Sequence, residues 1–158
     1  MLSGGHGQAA ATPTPIVLAA VSSDGQWLVT ADTARRMHVF HLDTLSHQRA
    51  LATPAYVPSG ACFHPTHPSL LALVLPTNQV SFYDLEADGE APAWEAALRR
   101  DLDAALSRIR EPVVGCTWLP GPDGHASLCV YGPTWICTAR PLTCLLYTSD
   151  AADDPLRV

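Results

Sequence analysis

At 158 residues the chain fits a single domain with enough length to bury a core. It is 47% hydrophobic and 15% charged, with 14 prolines and 10 glycines, which excludes the disordered and fibrous classes and points to a globular chain of short elements and many turns. The net charge of -6, with every basic residue an arginine, excludes a broad non-specific grip on nucleic acid but leaves room for one local basic face.

Residues 1–15 are rich in Gly, Ala, Thr and Pro and carry no basic n-region, so they are expected to be a flexible N-terminal segment. The apolar run Ile16 to Val21 is too short for a signal core or a membrane span. A soluble, intracellular chain with no membrane partner is the expectation. The five cysteines (Cys62, Cys116, Cys129, Cys137, Cys144) form no CxxC pair and show no regular disulfide spacing. Four of them sit in apolar, strand-like surroundings and read as buried thiols of a reducing compartment, with metal ligation as the alternative.

Three segments then share one grammar: Ile16 to Leu45, Gly60 to Gly89 and Val113 to Leu142. Each runs apolar strand, polar turn, apolar strand, second turn, third strand. The first turns are Ser23-Asp24-Gly25, His64-Pro65-Thr66-His67-Pro68 and Pro120-Gly121-Pro122-Asp123-Gly124. Strands rich in Val, Leu and aromatics argue antiparallel sheet, with third strands expected near Met37 to Leu42, Val80 to Leu85 and Thr134 to Ala139. Phe40-His41-Leu42 and Tyr83-Asp84-Leu85 close the third strands of the first two units 43 residues apart, within the roughly 40–45-residue period of propeller blades. A β-sandwich has no reason to repeat at that period. Tyr83-Asp84 stands where a WD repeat places its Trp-Asp pair, and Phe40-His41 is a degenerate version. The third unit has Thr138-Ala139 there instead.

The expected fold is therefore all-β, a partial WD-repeat β-propeller over 16–143 with about three antiparallel blades and one inserted helix. Trp27, Leu28, Val39, Phe40, Phe63, Leu71, Leu73, Phe82, Tyr83, Trp118 and Leu128 are its expected core. The insert spans about 92–110, where Trp94, Leu98, Leu102, Ala105 and Ile109 recur at threes and fours and Pro112 stops the pattern. Arg99, Arg100, Arg108 and Arg110 gather on and around its polar side, against Asp101 and Asp103. Two readings stand: a solvated helix packed across a blade edge, or a docking element for a partner or an RNA backbone.

No catalytic constellation accompanies this frame. His64-x-x-His67 sits in a proline-flanked turn without a carboxylate or cysteine to complete a first metal shell. Ser22, Ser23 and Asp24 form a hairpin turn with no Gly-x-Ser-x-Gly elbow, and no phosphate or dinucleotide loop occurs. The expectation is no enzyme, no cofactor, no metal and no small-molecule substrate. Three blades do not close a propeller, and an open stack leaves sheet faces and strand edges bare, so further chain is expected.

The run Ala20-Val21-Ser22-Ser23-Asp24-Gly25-Gln26-Trp27-Leu28, followed by His38-Val39-Phe40-His41-Leu42, resembles the C-terminal propeller of cirhin-type WD-repeat subunits of the small-subunit processome. The resemblance continues through Pro54-Ala55-Tyr56, His64-Pro65, Val80 to Leu85, and Trp94 followed by Arg110-Glu111-Pro112-Val113, covering roughly Val17 to Leu142. It implies a scaffold in a nucleolar ribonucleoprotein assembly that serves small-subunit ribosomal RNA transcription and processing. The implied partners are other WD-repeat propeller proteins and pre-ribosomal RNA. A generic WD-repeat protein–protein adaptor with no RNA role is the alternative. Cys144-Leu145-Leu146-Tyr147-Thr148-Ser149-Asp150-Ala151-Ala152-Asp153 resembles a translated sequencing adapter, so 144–158 is expected to be a non-native tail without consistent packing, with room for local order where apolar Leu145, Leu146 and Tyr147 meet an exposed blade edge.

Overall fold

The computed structural model describes residues 12–87, 93–140, 143–148 and 156–157. Among these described residues, twelve strands fall into three antiparallel sheets, each ordered by the chain itself. The first contains β1 (Ile16–Val21), β2 (Trp27–Asp32), β3 (Met37–His41) and β4 (Ser46–Leu51). In the second are β5 (Gly60–Phe63), β6 (Leu70–Leu75) and β7 (Gln79–Asp84). The third contains β8 (Gly115–Pro120), β9 (Ala126–Tyr131), β10 (Trp135–Arg140), β11 (Thr143–Thr148) and the two-residue β12 (Leu156–Arg157). A helix, α1 (Ala93–Leu106), lies between the second and third sheets in sequence.

Turn chemistry sets the meanders. Gly25 (φ 74) and Gly124 (φ 79) occupy the same place in their hairpins, each in the left-handed region where a side chain is strained. Asp24 Oδ1 accepts the Gln26 amide at 3.0 Å, and Asp123 Oδ1 accepts the His125 amide at 3.2 Å. In the second blade an imidazole does this work: His64 Nδ1 accepts the amides of Thr66 and His67, both at 3.2 Å.

The sheets stack side by side, with the innermost strands β1, β5 and β8 adjacent. A Cβ at Gly60 would stand 2.9 Å from Gly115 Cα, so β5 and β8 approach through their glycines. β6 is buried at every position because it is the middle strand of the middle blade. Leu71, Leu73 and Leu75 pack with Val29, Ala31, Met37 and Val39 of the first blade, whereas Ala72 and Val74 pack with Trp118, Leu128 and Val130 of the third. A continuous apolar run is what a strand covered on both faces requires.

The three third strands lie within one residue of their expected positions at either end. Four expected core residues are only half-buried: Trp27, Leu28, Phe40 and Tyr83. Trp27 and Tyr83 pack on the rim of the core between blades one and two. Leu28 and Phe40 alternate onto the face of blade one that looks away from blade two.

Three boundaries move. Thr14 and Pro15 are tied to the first blade, through Thr14 Oγ1 to Asp32 Oδ2 at 2.6 Å and Thr33 N–H to Pro15 O at 3.1 Å. Residues 1–11 of the expected flexible segment lie outside the described residues. The helix ends at Leu106, earlier than the expected 110, and its last turn tightens as Ile109 N–H reaches Leu106 O at 3.0 Å. Its start near 92 and the Trp94 side chain lie outside what is described. Beyond Thr143, β11 pairs with β10 from Arg140↔Thr143 to Trp135↔Thr148, a local order at a blade edge. An open strand edge accepts any extended segment, because the ladder is built from backbone groups alone.

Candidate docking surface

Helix α1 is wedged between the second and third blades. Leu98, Leu102, Ala105 and Leu106 are fully buried and share one core with Val80 and Phe82 of β7 and with Trp135, Cys137 and Ala139 of β10. The apolar stripe expected of a packed helix is therefore spent on both blades at once.

The four arginines do not form one cluster. Arg99 lies on the flank of the helix, half-exposed, with Nη2 at 3.5 Å from Glu95 Oε1. Arg100 points to solvent, its Nε 3.9 Å from Asp101 Oδ1. Arg108 and Arg110 stand exposed in the turn beyond the helix and make no ion pair among the described residues. Glu95 is 4% exposed, and its Oε2 has no hydrogen-bond partner among the described residues. Burial raises its carboxyl above the usual range, Arg99 opposes this, and nearby Asp84 adds to it. Burial likewise raises Asp103 and the Tyr83 phenol, again with Arg99 opposing.

What places Arg108 and Arg110 is a residue the sequence reading did not single out. Asn78, at the β6–β7 hairpin with φ 62, donates through Nδ2 to the carbonyls of Ile109 and Glu111, each at 3.0 Å. Its Oδ1 accepts the Val113 amide at 2.8 Å. One side chain thus holds the strap after the helix against blade two. The available signal was Thr77-Asn78 in a tight turn, since Asn tolerates the left-handed region.

In the WD-like pair, Tyr83 packs half-buried against the core between blades one and two. Asp84 Oδ1 accepts the amides of Glu86 (3.1 Å) and Ala87 (3.4 Å), bracing the turn that follows. Arg49 of β4 donates to Asp84 O at 3.4 Å and Leu85 O at 3.1 Å, joining blade one to blade two.

Between α1 and β7 lies a groove of about 550 Å³, lined by Gln79, Val80, Ser81, Arg99, Asp103 and Ser107 among others. Among the described residues no group of three or more His, Cys, Asp or Glu side chains is placed to hold a metal ion, and no helix is long and apolar enough to cross a membrane. His64 and His67 are within 3.2 Å of each other, but the His64 ring is committed to its turn and packs edge-on against Trp118 at 4.4 Å. Cys62 on β5 donates to Cys116 on β8 across 3.3 Å, and that bond, with burial, raises the Cys62 thiol. Cys62, Cys116 and Cys129 are in no disulfide among the described residues.

Three meandering sheets stacked about their first strands are blades, and the fold is that of a stretch of WD-type β-propeller. No family model matches the sequence, and no curated protein matches it. Solved structures do match. The β-propeller domain of Myceliophteria thermophila Cps50 (Swd1) aligns over 90% of this chain with TM-score 0.51 and 13% identity. The RRP9 WD40 repeats align over 90% with TM-score 0.54 and 13% identity. Kuenenia stuttgartiensis hydrazine synthase aligns over 86% with TM-score 0.53 and 15% identity. At such identity the likeness is one of fold. The alignments cover 38%, 36% and 36% of those three chains, so this chain spans less than two fifths of each.

Proposed function

We propose that the chain is a WD-repeat scaffold segment of a nucleolar ribonucleoprotein assembly, acting in small-subunit ribosomal RNA transcription and processing. The observation that carries the scaffold reading is α1 with the strap that follows it: the helix spends its apolar face between two blades, and Arg100 on the helix and Arg108 and Arg110 on the strap stand outward beside half-exposed Arg99. Such a surface binds by contact and charge, and point charges of this kind suit a phosphate backbone or an acidic protein face. The ribosomal part of the reading rests on the sequence blocks shared with cirhin-type subunits, from Ala20 to Leu28 and from Val80 to Leu85.

A second reading has its own support. Arg99 and Arg100 already sit beside Glu95 and Asp101, which lowers the net positive field and favours a protein partner over RNA. The test tags the full-length protein, fractionates extracts and follows ribosomal RNA after depletion. The ribonucleoprotein reading expects a nucleolar pool, co-sedimentation with pre-ribosomal particles and impaired small-subunit RNA with the large-subunit RNA less affected. A purely cytoplasmic pool with normal small-subunit RNA would leave the generic adaptor.

A further inference from the structure

Blades two and three are held together at two places. Towards their outer strands α1 fills the space between β7 and β10. At their innermost strands β5 and β8 come into backbone contact at Gly60 and Gly115. Beside that contact Cys62 of β5 donates its S–H to Cys116 of β8, sulfur to sulfur at 3.3 Å and 54 residues apart in the chain. Both side chains pack on the core shared by the two blades, and both are only half-buried. Innermost strands border the central channel of a propeller, where a small solute reaches the interface from inside.

The sheet register pairs Cys116 with Cys62 and not with the other thiols of blade three. Cys116 opposes Val130, whose face looks towards blade two, and Cys129 alternates onto the other face. Cys137 also opposes Val130, but from β10. It therefore stands two strands from Cys116, roughly 9–10 Å away, which is beyond the span of a disulfide. From their contact at 3.3 Å the Cys62 and Cys116 sulfurs need to close by about 1.2 Å to bond, which rotation of the two side chains supplies. A shared metal fits less well. Two thiolates at about 2.3 Å from one tetrahedral zinc ion stand about 3.8 Å apart, and among the described residues no third ligand joins the pair.

We propose that Cys62 and Cys116 form a redox modification site, at which a hydroperoxide oxidises the two thiols to a disulfide that ties blade two to blade three. The bond to Cys116, with burial, holds the Cys62 thiol above its usual range, so Cys62 keeps its proton and Cys116 supplies the attacking thiolate. That thiolate attacks one oxygen of the hydroperoxide and the O–O bond breaks. Cys116 becomes a sulfenic acid, and the other oxygen leaves and takes a proton from solvent. The Cys62 sulfur then attacks the Cys116 sulfur, its proton goes to the departing hydroxyl, and water leaves. Two electrons pass from the thiols to the O–O bond. Exchange with small thiols reopens the link, as a reducing compartment requires. The proposal adds a site to the scaffold reading and does not depend on its ribosomal part.

The complete chain, reduced and freed of added thiol, is treated with hydrogen peroxide, quenched with catalase, alkylated and digested without reduction. Mass spectrometry is expected to find the Cys62 and Cys116 peptides joined and lighter by two hydrogen atoms than their sum. The link forms at least about tenfold faster in buffer than in urea, because the fold supplies the proximity, and dithiothreitol removes it. Cys62→Ser leaves a sulfenic acid on Cys116 that dimedone traps, whereas Cys116→Ser leaves none on Cys62. The comparison of rates in buffer and urea uses the parent chain alone, so the test stands if either variant misfolds. Four results overturn the proposal: sulfinic acid at Cys116 with no link, a link that maps to another pair, a link between two chains, or equal rates in buffer and urea. None of these outcomes bears on nucleolar localisation, so this proposal and the ribosomal reading fail separately.

Discussion

Asn78 Oδ1 accepts the Val113 amide at 2.8 Å across 35 residues of chain, which anchors the strap that follows α1 to the hairpin of blade two. Together with the two bonds from Nδ2, this makes one exposed-turn side chain a structural hub. Asn78→Ala loses all three bonds and strains the left-handed backbone, and it is expected to cost about 1–3 kcal/mol. Asn78→Gly relieves the strain but not the lost bonds, so it should recover only part. Urea unfolding of the three proteins measures both terms, and a neutral Asn78→Ala would show that the strap holds itself.

Phe82 and Leu28 test where the core lies. Phe82 is 6% exposed and packs among Val80, Leu98 and Trp118, with its ring centroid 6.5 Å from that of Trp118. Phe82→Ala should cost roughly 3–5 kcal/mol. Leu28 lies half-buried on the open face of blade one, so Leu28→Ala should cost under about 1.5 kcal/mol. Equal losses in chemical denaturation would mean that the open face is covered.

His64 makes folding pH-dependent. Burial, helped by the neighbouring His67, holds its pKa down to about 4 from an ordinary 6.5. The unfolded chain therefore binds a proton that the folded chain refuses between these values. Stability is fully present above about 6.5 and falls as pH drops towards about 4, by at most about 3 kcal/mol from this group. His64→Asn keeps an acceptor for the Thr66 and His67 amides and removes the titration. Urea midpoints at pH 7 and pH 5 should differ for the parent chain and differ less for the variant.

Asp32 acts in a lower window. Its carboxylate accepts Thr14 Oγ1 first, then the Arg36 backbone and side chain, and its pKa falls to about 2 from 3.8. Its contribution is present above about 3.8 and is lost as pH falls through about 2. Asp32→Asn should flatten that acid limb in a thermal-melt series and free Thr14 from the first blade. An unchanged limb would place the acid-labile group elsewhere.

The arginines are expected to act unequally. Arg108 and Arg110 have no carboxylate partner among the described residues, while Arg99 and Arg100 do. The pair Arg108→Ala and Arg110→Ala should therefore weaken particle association more than the pair Arg99→Ala and Arg100→Ala. Co-sedimentation of tagged variants at two salt concentrations reads this out, and an equal effect would favour contact over charge.

Much of the architecture is local information. The Asp-Gly turns at 24–25 and 123–124, the unbroken Leu70–Leu75 run and the helical recurrence from Leu98 to Ala105 are set by neighbours a few residues away. These features determined the blades, their period and the existence of α1. β4 escaped notice because a peripheral strand buries little and needs no apolar signal. The site was legible only as a set of arginines. Tertiary structure alone decided that α1 wedges between two blades, that Asn78 holds a strap 35 residues away, and that Cys62 faces Cys116. The physical reason is distance along the chain. Turn and periodicity preferences act within one element, whereas these relationships exist only once separate blades are brought into contact by the burial of their faces.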